Sequence, residues 1–220
     1  MPIPYLTFIK HAEKVTKNAS GTLPVIKGVH HKDGYVEVTD GFRIYRAKSN
    51  YSISAEGVID LATGRQLEGK YPNIGSFVPT ADPPVVVVLD VAHTLDATKA
   101  LQQVGTIAPA PGERKTKKED VILSLETIES LALLSTPINK ARAEYTLPVK
   151  SSKSNLTTAF NSNYIIQALE LFKDVGIYTI TWEIYEELNP CKMYFDDNLI
   201  VVLLPVKLKK VNKKEAVTSV

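Results

Sequence analysis

The 220-residue sequence has one cysteine, Cys191, which excludes a disulfide within the chain and any metal cluster built on cysteine. It also lacks long apolar runs. The longest, Val85 to Leu89 and Leu199 to Val206, fall far short of the roughly 20 residues that a spanning helix needs. Neither charge sign is in excess: 26 Lys and Arg face 24 Asp and Glu, a net charge of +2. That balance excludes a strongly basic nucleic-acid coat and an acidic tail protein, although a neutral total can still hide a basic face. The start, Met-Pro-Ile-Pro-Tyr, lacks the basic and apolar stretches of a secretory signal, so a reduced, cytoplasmic setting is expected.

Catalytic signatures are missing as well. No G-x-x-x-x-G-K-[ST] phosphate loop, no G-x-G-x-x-G after a strand and no H-E-x-x-H occurs. His30 and His31 are adjacent in a β-type run, where neighbouring side chains point to opposite faces; they cannot share a metal, and one is expected satisfied and the other solvated. The acid pairs Asp196-Asp197 and Glu186-Glu187 fall at strand ends or turns, where carboxylates are solvated; a metal-dependent nuclease would have to use them. The expectation is a protein without catalytic residues, cofactor or metal, and so not an enzyme.

With 44% apolar and 23% charged residues, the composition is that of an ordinary globular chain of one or two domains. Leu6 to Lys17 reads as an amphipathic helix, with Phe8, Ala12 and Val15 on one stripe and Lys10, Lys14 and Lys17 on the opposite one. Short β-type runs follow at Val25 to His31, Tyr35 to Val38 and Arg43 to Ala47, punctuated by Asp33-Gly34 and Asp40-Gly41. From Ser49 to Pro84 the density of Pro and Gly marks a connector, with one further strand expected at Gly57 to Leu61 and a boundary near residues 79 to 84. A second unit opens with Val85 to Val91. A helix over 94–107 follows, with Ala97, Ala100, Leu101 and Val104 facing inward and Lys99, Gln102 and Gln103 outward. A charged loop, 113–120, leads to strands near 121–126, 130–135 and 141–149, a helix near 162–173, and strands near 177–185, 191–195 and 199–206. The tail from Lys209 carries four lysines and little that packs, so it is expected to be mobile. The pattern predicts an α+β fold of antiparallel sheets with helices on one face. Its expected parts are a first unit at 1–80, a second at 81–208 and a basic tail at 209–220.

Five stretches, in order, carry a resemblance. Val38-Thr-Asp-Gly-Phe-Arg-Ile-Tyr-Arg46 is similar to the A-T-D-G-H-R-L element of the bacterial DNA polymerase III β sliding clamp family. Leu23-Pro-Val-Ile-Lys-Gly-Val-His30 resembles the strand after the first helix of that clamp's middle domain. Leu67 to Pro79 resembles the D-G-x-F-P-D-Y-x-x-V-x-P connector into the last domain. Phe160-Asn-Ser-Asn-Tyr-Ile-Ile-Gln-Ala-Leu169 resembles the F-N-x-x-Y-x-x-x-x-L helix start, and Val201 to Leu208 the C-terminal V-M-P-M-R-L.

The resemblance implies a DNA-clamp fold and a non-catalytic processivity factor. Such a clamp encircles duplex DNA as an oligomeric ring and tethers a polymerase by a short peptide in an apolar pocket between domains; a clamp loader would use the same pocket. Carried over residue by residue, the pocket would take Ile26, Thr39, Gly41, Phe42, Arg43 and Ile44 from the first two motifs. The connector would add Pro72, Ser76 and Phe77, and the C-terminal strand Val202, Leu204 and Pro205. Phe42 stands where the family often has His, and Ser76 where it often has Arg. By residue type alone, Ile26, Ile44, Val202 and Leu204 suit a core equally well.

A sliding clamp must attract phosphates without reading bases. Lys10, Lys14 and Lys17 suit that role, with Lys99, Arg114 and Lys115 as additions, though such a stripe is equally the solvated face of any surface helix. The helix near 163–173 exposes Gln167 and Glu170, so the hole would be unevenly charged and DNA affinity weak and salt-dependent. Residues 50–79 leave no room for a second helix and its strands, and the family's first domain has no counterpart. Ring closure would need further copies, three if six domain-equivalents make a ring, with two as the alternative. So small a version would suit a phage or mobile element. The competing expectation is a non-ring clamp mimic that captures the clamp-binding peptides of host replication or repair proteins.

Overall fold

The computed structural model describes residues 3–19, 23–48, 56–107, 116–128, 131–136, 143–152, 155–186 and 188–207. Arg114, Lys115 and the tail from 209 lie outside them.

In the first unit, helix α1 (Tyr5–Thr16) is followed by a 3-10 turn at Pro24–Lys27 and strands β1 (Val29–Lys32), β2 (Tyr35–Thr39), β3 (Arg43–Lys48), β4 (Gly57–Ile59) and β5 (Gln66–Leu67). A second 3-10 turn spans Ile74–Phe77. The second unit holds β6 (Val85–Asp90), α2 (Val91–Gly105), β7 (Ile122–Ile128), β8 (Leu131–Ser135), β9 (Glu144–Ser152) and β10 (Thr157–Asn161). It continues with α3 (Ser162–Asp174), β11 (Thr179–Ile184), β12 (Cys191–Phe195) and β13 (Leu199–Leu203).

The strands form one antiparallel sheet in the order β10-β7-β8-β9-β6-β11-β12-β13-β3-β2-β1-β4-β5. β9 crosses between two halves of it: its first residues pair with β8, and after Pro148, which has no N–H to give, it pairs with β6. The second unit curls, so that the chain leaving β13 reaches the far edge, where the Val206 N–H donates to the Ala159 carbonyl at 2.7 Å. The two units are joined by the ladder between β13 and β3, with Val202 opposite Ile44 and Val201 opposite Tyr45.

Strand alternation sorts the side chains into two cores. On one face, Phe8, Ala12 and Val15 of α1, Leu95 and Leu101 of α2, and Leu169 and Phe172 of α3 pack with Tyr45, Val201 and Trp182 in a single cluster that spans both units. On the opposite face of the seam, Val25, Ile44, Val58, Tyr71, Ile74 and Val202 form a smaller cluster under the segment that connects the units.

The structure corrects several sequence expectations. Val25 to Lys27 is a 3-10 turn rather than strand, because Pro24 starts a helical turn. In the connector, the strand expected at Gly57 to Leu61 is β4, which pairs with β1; beyond it, β5 pairs with β4, and Tyr71 and Ile74 are buried. The helix expected from residue 94 begins at Val91, because the Asp90 carboxylate accepts the His93 N–H at 2.8 Å and caps it. Its buried face is also rotated, with Thr94, Thr98 and Gln102 inside and Ala100 exposed. The apolar pattern hid this, since buried Thr98 satisfies its hydroxyl on the Thr94 carbonyl and Gln102 bridges the Lys118 carbonyl and the Ser162 hydroxyl. The strand β10 has no counterpart among the expected elements.

His30 and His31 do lie on opposite faces of β1, but neither is simply solvated. His31 turns to the helical side and meets the Tyr5 hydroxyl at 3.1 Å; His30 turns outward, stacks on Tyr71 and meets Glu37 at 3.2 Å. Asp196 and Asp197 are exposed in the turn between β12 and β13. Among the described residues, no His, Cys, Asp or Glu cluster could hold a metal ion. Among them, too, no helix is long and apolar enough to cross a membrane.

Candidate functional site: an apolar hollow at the seam

The turn between β2 and β3 holds itself rigid. The Thr39 hydroxyl donates to the Arg43 carbonyl at 2.8 Å and accepts the Gly41 N–H at 3.0 Å. One Asp40 oxygen accepts the N–H groups of Phe42 and Arg43 at 3.0 and 3.1 Å. Gly41 takes φ +90°, a conformation in which a side chain is strained. The Leu204 N–H then donates to the Phe42 carbonyl at 2.9 Å, which extends β13 past its last ladder pair and fixes Leu204 beside the turn.

Arg43 anchors the turn from beneath. Its side chain is fully buried, with Nε 2.9 Å from Asp40, which is equally buried. One Nη donates to Gln167 of α3 at 2.7 Å, and the guanidinium lies 4.5 Å from the centre of the Tyr164 ring. Burial pushes the neighbouring Tyr45 hydroxyl up to about 12. The Arg43 charge is therefore spent inside the protein, on the helical side of the sheet.

On the outer side the seam stays open. A hollow of about 300 Å³ is lined by Ile26, Thr39, Gly41, Phe42, Arg43 and Ile44 from the first unit and by Val202 and Leu204 from β13. The connector closes it with Pro72, Ile74 and Phe77, and Leu23 and Pro190 complete the wall. Phe42 is 53% exposed, Phe77 57% and Leu204 37%, so three large apolar side chains stand at its mouth. Ile44 and Val202, opposite each other across the seam, form a buried floor.

Ten of the twelve pocket residues expected from sequence are thus brought together by the fold. Ser76 and Pro205 are not among the lining residues; the Ser76 hydroxyl turns back to the Asn73 carbonyl at 2.7 Å. Leu23, Ile74 and Pro190 were missed. The first two lie inside the quoted motif stretches, and the ladder that sets Cys191 opposite Leu203 carries Pro190 to Leu204.

The lysines expected to face DNA lie elsewhere, on the helical side, and each described one has a carboxylate. Lys10 is 3.6 Å from Asp174, Lys14 3.1 Å from Glu170, Lys17 2.8 Å from Glu13 and Lys99 3.0 Å from Glu170. Glu170 sits between α1 and α2 and serves both. Burial works to raise its pKa, but the Lys99 and Lys14 ammonium groups outweigh this and hold it below the usual carboxylate range. Asp174 is lowered chiefly by its bond from the buried His11, at 2.9 Å. Desolvation in turn lowers His11. Spacing along α1 could show a lysine stripe; it could not show that α3 brings carboxylates to it.

No family model matches the sequence, and no curated protein does. Solved structures do. The DNA polymerase sliding clamp of Bacillus subtilis superposes with a TM-score of 0.69 at 16% identity, over 94% of this chain and 64% of that one. The DNA polymerase III beta chain of Streptococcus pneumoniae gives 0.71 at 15%, over 93% and 63%. The DNA polymerase III subunit beta of Pseudomonas aeruginosa gives 0.68 at 13%, over 92% and 65%. The chain therefore has the fold of the bacterial DNA polymerase III beta sliding clamps and spans less than two thirds of their length.

Proposed function

We propose that this chain is a shortened sliding clamp, without catalysis of its own, whose seam hollow receives a short apolar peptide of a DNA polymerase or clamp loader. The hollow itself carries the reading. A lined recess of about 300 Å³, with exposed Phe42, Phe77 and Leu204 at its mouth and a rigid polar turn on one side, suits two or three Leu, Met or Phe anchors of an extended segment. Thr39 and the backbone around Gly41 supply the polar edge. Ser76 and Pro205 flank this peptide from outside the lined wall. In the same reading several copies, three or two, close a ring around duplex DNA, with Lys10, Lys14, Lys17 and Lys99 toward the phosphates and Arg114 and Lys115 as further candidate cations. The parts are a shortened clamp unit at 1–80, a complete one at 81–208 and a basic tail at 209–220. The setting is the cytoplasm of a bacterium, or of one carrying a phage or mobile element.

A second reading is favoured by the ion pairs on the helical face. If Glu13, Glu170 and Asp174 keep the lysines engaged, the chain captures clamp-binding peptides without a ring and acts as a mimic.

Light scattering of the full chain, with and without a labelled decapeptide carrying two Leu and one Phe, tests both readings. A clamp gives a defined oligomer and stays on nicked circular DNA after loading; a mimic binds peptide as a monomer and leaves no protein on DNA. In either case Leu204→Asp together with Phe77→Ser, both at exposed positions, weakens the peptide on the order of 100-fold while the fold stays intact. Unchanged affinity in that variant removes the site.

A further inference from the structure

Beside the apolar hollow lies a larger, polar cleft of about 520 Å³. The two share Pro72 and Ile74, so one rim separates them. The strand register explains the contrast. Thr39, Ile44 and Val202 form one cross-strand row; two residues along the same strands, on the same face, His30, Glu37 and Arg46 form the next. Two residues of strand are about 7 Å.

Arg46 is built into this cleft in a particular way. Its guanidinium lies 3.9 Å from the centre of the Tyr35 ring, and its Nε is 3.0 Å from a Glu37 oxygen. The other Glu37 oxygen takes His30 at 3.2 Å, so this carboxylate is occupied on both sides. Neither Nη group of Arg46 has a hydrogen-bond partner among the described residues, and the nearer one approaches Gly75 on the opposite wall. Lys70, on the same wall, has no ion pair among the described residues. Three cations, Lys32, Arg46 and Lys70, line the cleft against two carboxylates, Asp33 and Glu37. A held guanidinium with free Nη donors and an unpaired ammonium across from it form a fork for a carboxylate.

We propose that the cleft is a second subsite for the same peptide, and that it takes an acidic side chain two or three residues beyond the apolar anchors, where the segment crosses Pro72. Arg46 and Lys70 grip the carboxylate; Glu37 and Tyr35 orient Arg46. The inference rests on the peptide reading of the neighbouring hollow and adds a specificity element to it.

Fluorescence anisotropy with four labelled decapeptides tests it. All carry the Leu and Phe anchors; they differ in having Asp, Asn or Lys two or three residues beyond the anchors on one side, or Asp on the other side. The expected order on one side is Asp, then Asn, then Lys, with Asp about tenfold tighter than Asn at low salt and the gap closing at high salt. Lys70→Gln and Arg46→Gln should each reduce the Asp preference and leave the Asn peptide unchanged; Arg46→Lys should restore part of it. Circular dichroism and the unchanged Asn peptide show that the variants are folded. If the Asn peptide binds but Asp on neither side improves it, or if Lys binds best, the cleft proposal is overturned while the hollow stands. If no peptide binds, both fall.

Discussion

The two faces of one sheet make the instructive comparison. On the outer face of the seam, apolar side chains that the sequence places far apart meet and stay uncovered. On the helical face, cations that the sequence places in an open stripe stay exposed but meet carboxylates. Residue type alone pointed to free charge and buried apolar side chains; the fold pairs the charge and leaves Phe42, Phe77 and Leu204 exposed. A helix bundle packed side by side brings α3 acids within reach of α1 and α2 lysines, whereas two units that meet edge to edge leave a step where the β2–β3 turn, β13 and the connector converge. Paired surface lysines contribute little to stability, so what the pairing changes is the field that DNA would meet.

The largest effect is expected where the two faces are linked. Arg43→Ala strands the Asp40 carboxylate in a fully buried site and cuts the turn from α3. Breaking such a pair costs about 3–5 kcal/mol; chemical denaturation should show this, together with a collapse of peptide binding. A loss under about 1 kcal/mol would mean that the turn does not depend on its anchor.

A smaller effect tests the helical face. Glu170→Gln releases both Lys14 and Lys99. If this face lies toward DNA, retention on circular DNA should rise, and the slope of log affinity against log salt should steepen by up to about 1.8, or 0.9 per freed cation. No change in slope would favour the mimic. Peptide affinity should not move, because the hollow is on the other face.

The mildest lever is pH. His11 and Glu170 both have lowered pKa values in the folded chain, so the unfolded chain binds more protons as pH falls. Their contribution is complete above about pH 6.5 and is lost downward, first through His11 and then, below about 4.5, through Glu170. Thermal melts should therefore drop between pH 7 and pH 4, by roughly 2–4 °C for each kcal/mol lost. His11→Gln should remove part of the upper drop, the rest coming from the buried His31, whose pKa desolvation also lowers; an upper drop unchanged by the substitution would rule His11 out as a source.

Much of the architecture was legible because it depends on local pattern. The α1 stripe of Phe8, Ala12 and Val15 faces the core as its period requires, and Asp33-Gly34 and Asp40-Gly41 both mark hairpin turns. What failed did so where a polar residue served a buried role. Thr94, Thr98 and Gln102 rotate α2 away from its apolar reading, and Pro24 turns a β-like run into a 3-10 turn. The hollow was legible only through motif order. Nothing in the residues of β3 says that Arg43 points inward and Ile44 outward until the partner strand is known.

By itself, the sequence determined most of the elements, the Asp-Gly turn between β2 and β3 and the exclusion of disulfides and cysteine clusters, since each depends on neighbours within a few positions. Tertiary structure alone decided which lysines keep a free charge and which strand faces stay open, and that Arg46 and Lys70 share a cleft. Those outcomes turn on groups tens of residues apart in the chain, and only the pairing of β13 with β3 and the packing of α3 between α1 and α2 bring them together.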